Sequence, residues 1–157
     1  MNFPDQLTVL VSDAESGEPI GNIAVILRLF ATRKNDYYVG PHLTGRNGEV
    51  IFTREDCEFA IGRSKQMFLM DYHDDLGGCR PLVEIGVHPH ARIAVMIQQY
   101  RDNPSFWGSG FKDPDGLFAA LQLAKNVNYL ETTITLREED LFSLPRVLLS
   151  APKRGDR

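Results

Sequence analysis

The chain has 157 residues, of which 43% are hydrophobic and 24% are charged, and these values are ordinary for a globular domain. The formal net charge is −4 and the only basic cluster is Lys153, Arg154 and Arg157, so no nucleic-acid partner is expected. No apolar run reaches the roughly 20 residues that span a bilayer, and the N-terminal segment lacks the features of a secretory signal. We therefore expect a cytoplasmic protein with no membrane partner, in which Cys57 and Cys79 are reduced thiols.

The first third of the chain has the apolar patterns of β-strands separated by turn residues. Four strands are predicted, over residues 7–13, 23–32, 37–43 and 49–52. Ser16-Gly17-Glu18-Pro19 forms the turn after the first strand. The second strand carries apolar residues on both faces, which is typical of a strand covered on both sides. Arg46-Asn47-Gly48 predicts a tight hairpin turn, because Asn-Gly tolerates positive φ angles.

The middle of the chain predicts a short helix and two further strands. Thr53 is placed to cap the helix, whose end is predicted at Ile61 with Gly62 as the stop. Strands are predicted over residues 67–72 and 82–87.

A different pattern begins at Pro89, which is well suited to the first turn of a helix. Apolar residues recur at helical spacing, namely Ile93, Met96, Ile97 and Tyr100. Some residues in this stretch also alternate as in a strand, so both alternatives stay open for 89–102, with the helix preferred.

The C-terminal third predicts a second helix, beginning at Asp113-Pro114, and a returning strand near 129–136. We expect a sandwich core over 1–88, a helical extension over 89–149 packed on the same domain, and a flexible tail over 150–157.

The segment LTVLVSDAESGEPIGNIAVILRLF, followed by TGRNGEVIF and a short helix, resembles the transthyretin-like (prealbumin-like) β-sandwiches. These include transthyretin, the hydroxyisourate hydrolases and carboxypeptidase regulatory-type domains. The resemblance covers about residues 7–87. It implies a mostly β fold, a sandwich of about seven strands with one short inserted helix and a C-terminal α-helical extension.

The hydrolase branch of this family has a catalytic histidine in its first strand, in a pattern like L-S-T-H-V-L-D, and a terminal Tyr-Arg-Gly-Ser. The matching segment here is LTVLVSD, which places Leu10 at the histidine position, and the chain ends in SAPKRGDR. Both departures remove chemistry that the hydrolysis needs. The resemblance therefore implies a binding or accessory role, or, more weakly, a carrier of a small ligand.

The densest set of potential metal ligands or acid–base groups combines a loop with the start of the predicted extension. It comprises Asp71, His73, Asp74, Asp75, His88 and His90. Asp and His can bind zinc or iron. A small hydrolytic or metal-assisted enzyme using His73, Asp74, His88 and His90 is therefore the alternative hypothesis. The preferred interpretation of these residues is a polar loop followed by the start of a helix. No metal or other cofactor is expected.

The nucleophile candidates are Ser109 and the two cysteines. Ser109 lies in a Gly-rich loop without the strand that a nucleophile elbow needs. Arg80 would lower the pKa of the Cys79 thiol if both were exposed. Cys57 lies on the apolar face of the first helix, and Cys79 has no identified histidine partner. We therefore interpret both cysteines as structural.

The preferred function hypothesis rests on an aromatic, Gly-rich loop. Phe106, Trp107 and Phe111 lie between the two predicted C-terminal helices, and such side chains either pack back onto the core or contact a partner. Tyr38 is a further candidate contact, because the Tyr37-Tyr38 pair points to opposite faces of its strand. The sequence thus predicts a non-catalytic interaction module. It would bind a protein through this loop and the extension, or self-associate through sheet edges.

Overall fold

The computed structural model describes residues 1–31, 36–67, 75–103, 112–124 and 127–152, without the side chains of 64–67. These ranges contain seven strands, three α-helices and one 3-10 helix. The strands are β1 Gln6–Asp13, β2 Ala24–Phe30, β3 Asp36–Leu43, β4 Glu49–Thr53, β5 Leu82–Val87, β6 Thr132–Arg137 and β7 Arg146–Leu149. The helices are α1 Arg54–Met67, α2 His90–Asp102, α3 Pro114–Leu123 and the 3-10 helix Glu138–Phe142. None of the α-helices in these ranges is long and apolar enough to cross a membrane.

The strands form two sheets that contribute to one hydrophobic core. The three-stranded sheet has the order β4-β1-β7, and the four-stranded sheet has the order β3-β2-β5-β6. β7 runs parallel to β1, whereas the other paired strands are antiparallel. Period-two alternation turns one face of each strand into the core. From β1 and β2 the core takes Leu7, Val9, Val11, Val25, Leu27 and Leu29.

The predicted turn at Asn47-Gly48 is present, but it does not form a hairpin. Gly48 has a φ of 75°, and its amide donates to the Gly45 carbonyl at 2.9 Å. A Cβ at Gly48 would lie 2.5 Å from the Val11 carbonyl oxygen, so this position requires glycine. β4 then pairs with β1, in the other sheet from β3. The hairpin prediction was wrong because turn residues specify a reversal and not the strand that follows as partner.

The predicted N-terminus of α1 is confirmed and its predicted end is wrong. Thr53 Oγ1 accepts from the Asp56 amide at 3.1 Å, and the Asp56 carboxylate accepts from the Thr53 amide at 2.9 Å. These two bonds form a capping box. The helix continues through Gly62 to Met67, because Gly62 does not adopt the left-handed conformation of a helix stop. Met67 is therefore helical, and residues 68–72 of the predicted strand lie outside the described ranges.

Replacing Asp56 with asparagine is expected to lower the free energy of unfolding at pH 7 by about 1 kcal/mol. Burial alone would raise the pKa of Asp56. Hydrogen bonds from Lys112 Nζ at 2.6 Å and from Thr53 outweigh it and hold that pKa below its ordinary 3.8. This stabilisation is therefore present above about pH 4 and disappears as the pH falls through the folded-state pKa.

Urea unfolding at pH 7 and at about pH 2.5 measures this contribution, with the exposed Glu55→Gln as the control. The wild type and Asp56→Asn should differ at pH 7 and converge in acid. An equal difference at both pH values would mean that the ionised carboxylate does not contribute.

The helical alternative for residues 89–102 is confirmed. α2 begins one residue after Pro89, which occupies the N-cap position. Its four buried residues are the predicted Ile93, Met96, Ile97 and Tyr100. They form a second apolar cluster with Ala24 and Ile26 of β2 and Leu121 of α3. α2 therefore covers part of the β2 face that points away from the main core.

The chain after residue 88 also supplies a strand to each sheet. The predicted helix start at Asp113 is confirmed, since its side chain accepts from the Gly116 amide at 3.0 Å. The predicted strand near 129–136 corresponds to β6. β7 and the 3-10 helix were not predicted. Within the expected tail, the Ser150 carbonyl accepts from the Leu130 amide at 2.9 Å, and residues 153–157 lie outside the described ranges.

Candidate binding cavity beside Gly86

The outer face of the four-stranded sheet, turned away from the main core, lacks a side chain at Gly86. Strand register places Ile26 and Thr133 on either side of Gly86. Glu84 and His88 precede and follow it on the same face, because alternate residues of a strand share a face. Gly86 has no positive φ, so its backbone does not require glycine. What glycine provides at this position is space.

Helix α2 closes one side of this space. Arg92 and Met96 lie one turn apart on α2 and line the cavity together with Ile26 and Gly86. The cavity volume is about 250 Å³, slightly below the roughly 300–1,000 Å³ of typical ligand pockets. It is therefore large enough for a small molecule or for a single side chain.

One end of the cavity is formed by a histidine, a glutamate and an arginine in contact. His88 Nδ1 lies 2.6 Å from Glu131 Oε1, and Arg92 Nη1 donates to the other oxygen of Glu131 at 3.2 Å. An ionised carboxylate can only accept, so Nδ1 carries a proton and donates to Glu131. A Cβ on Gly86 would lie 3.0 Å from Nε2. The tip of the His88 ring therefore rests over Gly86, in the space that a side chain at this position would take.

The other end is formed by Arg28 and the carboxylates around it. Arg28 donates to Asp36 through Nε at 3.1 Å and to Glu84 through Nη1 at 3.4 Å. Its guanidinium carbon lies 4.7 Å from the Phe30 ring centre and 5.7 Å from that of Tyr38. Burial would lower the pKa of Arg28, but the bond to Asp36 and the charges of its neighbours outweigh burial and raise it. Arg28 is therefore a permanent cation held by acceptors on two neighbouring strands.

The structure does not bring the sequence-predicted histidines together. His88 contacts Glu131, whereas His90 Nε2 donates to the Asn22 carbonyl at 2.7 Å. Pro89 separates them, since β5 ends before it and α2 begins after it. His73 and Asp74, like Asp71, lie outside the described residues. Among the residues that are described, no three His, Cys, Asp or Glu side chains are grouped to hold a metal ion.

Neither cysteine occupies an exposed position. Cys57 is buried in the core, and burial raises the pKa of its thiol to about 12. Cys79 is also buried, and its Sγ donates to the Asp75 carbonyl at 3.4 Å. The two are not bonded to each other. Activation of the Cys79 thiolate by Arg80 would require an exposed thiol, and Cys79 is buried.

Of the aromatic residues that the sequence analysis considered for contact with a partner, only the tyrosine pair of β3 lies within the described residues. Tyr37 is buried in the core, and Tyr38 on the opposite face lines the cavity. The candidate contacts Phe106, Trp107 and Phe111, and also Ser109, lie outside the described ranges.

Sequence reasoning identified His88 and Tyr38 but missed most of the cavity. The missed residues are Arg28, Glu84, Gly86, Arg92 and Glu131. One signal was available, because Arg28 interrupts an otherwise apolar strand and Glu84 and Gly86 alternate with the buried residues of the next strand. Glu131 had no local signal, since it lies 43 residues from His88.

Comparison with known proteins returned no matching family model, no matching curated protein and no matching solved structure.

Proposed function

We propose that the protein is a non-catalytic binding module whose cavity beside Gly86 takes a small polar ligand. The observation that carries this proposal is a cavity of about 250 Å³ that lies between two groups of paired charges, with His88 and Glu131 at one end and Arg28 and Glu84 at the other. The lining carries hydrogen-bonding groups on several side chains, so such a cavity favours a ligand with polar groups of its own. The concave shape, with α2 on one side, favours a small molecule over a flat protein surface.

The alternative is an enzyme in which Glu131 orients His88 and Nε2 acts as a general base. Nucleophilic catalysis would need a hydroxyl or thiol held against Nε2. In the described part of the chain, no such group hydrogen-bonds to this atom. Loss of a measured turnover in a folded His88→Ala protein would favour the enzyme.

The Gly86→Ala variant tests the cavity, because it adds a single methyl group to its floor. The new Cβ would lie 3.0 Å from His88 Nε2, so the His88 ring would have to shift away from Gly86 at one end of the cavity. Alanine is also favoured over glycine in a strand by about 0.5–1 kcal/mol. The two effects on stability oppose each other, so we expect the free energy of unfolding to change by less than about 1 kcal/mol and ligand binding to be lost. Gly62→Ala, in open space on α1, is the matched control for the substitution.

The measurement is the thermal midpoint of each protein against a panel of neutral, anionic, cationic and zwitterionic small molecules. A compound that raises the midpoint of the wild type and of Gly62→Ala, but not of Gly86→Ala, supports the cavity as the site. If no class of compound acts, or if Gly86→Ala responds equally, the proposal fails.

We also propose that the two sheets form a transthyretin-like sandwich, as the sequence resemblance implies. The shared core supports this arrangement, because inward residues of β1 and β2 belong to one buried cluster. An experimental structure with the sheets side by side would contradict it. The predicted cytoplasmic location also stays a proposal, and the absence of a Cys57–Cys79 disulfide is consistent with it.

A second candidate function is protein binding through the extension and the loop containing Phe106, Trp107 and Phe111. Exposed apolar side chains on the extension favour it, since Val95 of α2 is 56% exposed and Leu123 of α3 is 90% exposed. Affinity capture with the wild type and with Val95→Ser/Leu123→Ser tests this surface. A partner held equally by both proteins would exclude it.

A further inference from the structure

We infer that the ligand of the Gly86 cavity is a neutral polyhydroxy compound of about the size of one sugar ring. This inference rests on the proposed binding function and adds the chemical class of the ligand. It follows from three properties of the lining, which are its charge balance, its hydrogen-bonding capacity and its apolar middle.

The charges that line the cavity cancel and are already paired. Arg28 contacts Glu84, and Arg92 contacts Glu131. An anionic ligand would meet the negative charge of the two carboxylates. A cationic ligand would meet two guanidinium groups. Because the charges of the lining balance, neither sign of net charge on a ligand is favoured, and a ligand without net charge fits this lining best.

The residues that line the cavity have both hydrogen-bond donors and hydrogen-bond acceptors that are not yet used. The carboxylates of Glu84 and Glu131 can accept further hydrogen bonds, and Arg92 keeps donors beyond the Nη1 bond to Glu131. The Thr133 hydroxyl on the cavity wall can donate and accept. A ligand hydroxyl also does both, so adjacent hydroxyls can match the donors and the acceptors of the lining. A single amide or a single carboxylate cannot match both ends.

The middle of the cavity is apolar and of limited length. Ile26 and Met96 lie between the polar ends, and Tyr38 adds an aromatic ring. From Glu84 to His88 the strand spans about 13 Å, at roughly 3.3 Å per residue. The cavity of about 250 Å³ corresponds to roughly eight waters at about 30 Å³ each. A sugar ring or cyclitol has this size, with hydroxyls at its rim and C–H groups on its faces.

Titration calorimetry with named compounds tests the class. The neutral set is glucose, galactose, mannose, xylose and myo-inositol; the charged set is glucose 6-phosphate, glucuronate, glucosamine, glycine and glutamate. We expect at least one neutral compound to bind the wild type. Its affinity should change less than about twofold between 50 and 500 mM NaCl, because screening acts on charged pairs. Tetrahydropyran, which keeps the ring but lacks hydroxyls, should not bind.

Two variants connect the binding to the cavity. His88→Leu removes, at similar volume, the ring that holds Glu131 at one end of the cavity and should weaken the binding about tenfold or more. Gly86→Ala should abolish it. His42→Leu, which removes a histidine that contacts Phe52 outside the cavity, is the matched control and should keep the affinity. Circular dichroism checks that each variant is folded, and Gly86→Ala remains decisive if His88→Leu fails to fold.

The outcomes separate this inference from the function on which it rests. If only charged compounds bind, and Gly86→Ala abolishes that binding, the ligand class is wrong and the binding module stands. If neutral sugars bind equally well to Gly86→Ala, both the site and the class are wrong. If no compound of either set binds the wild type, the inference is overturned, and the thermal panel then decides the proposed function separately.

Discussion

Replacing Phe52 with alanine is expected to lower the free energy of unfolding by about 3–5 kcal/mol. Phe52 is fully buried in the main core and pairs in register with Leu7 of β1. Its ring also stacks on His42, with the ring centres 4.7 Å apart. Truncation removes these contacts and leaves a cavity in the core. The loss is a large part of the roughly 5–15 kcal/mol of a typical domain.

Ile51→Ala is the control, because the neighbouring residue of β4 is 42% exposed and points to the other face. Urea unfolding should show a loss of about 1 kcal/mol or less for this variant. Similar losses for both would mean that β4 does not present alternate faces to core and solvent as described.

Removing residues 146–157 is expected to abolish the cooperative unfolding transition. This deletion takes away β7, which pairs with one side of β1 and whose Val147 and Leu149 are fully buried. It exposes apolar surface on β1 and leaves ladder groups of that strand without a partner. The single substitution Leu149→Ala should lower the free energy of unfolding by about 2–5 kcal/mol.

Two controls isolate β7 from other effects of the shortened chain. Leu148→Ala changes a 52% exposed neighbour and should cost about 1 kcal/mol or less. Removing only residues 153–157 should change the stability by less than about 0.5 kcal/mol, as predicted for a flexible tail. A normal urea transition after loss of residues 146–157 would show that β7 is dispensable.

Only part of the cavity could be predicted from the sequence. His88 was recognised by its chemistry, but it was grouped with His90 because the two are neighbours in the sequence. His88 follows the end of β5 and His90 begins α2, on the two sides of Pro89, and the two histidines have different partners. Glu131, the residue that orients His88, is distant in sequence and reaches it only because β6 pairs with β5.

Local pattern also has limits within single elements. The capping residue Thr53 was recognised because a cap is formed by residues three positions apart. The end of α1 was misplaced, because glycine in a helix costs only about 1 kcal/mol and does not by itself stop it. Packing of Cys57, Ala60 and Ile61 on the core supports the helix that runs past Gly62.

The sequence by itself determined where most strands and helices lie and which faces they bury. Strand β5 and the buried face of α2 were predicted residue by residue, because alternation and helical spacing depend on near neighbours. The tertiary structure alone decided which strands pair, since the parallel pairing of β7 with β1 and the antiparallel pairing of β4 with β1 join distant segments. The cavity is likewise a feature that only the tertiary structure decides. It exists because the register of β2, β5 and β6 places a glycine between Ile26 and Thr133, and no local pattern contains that register.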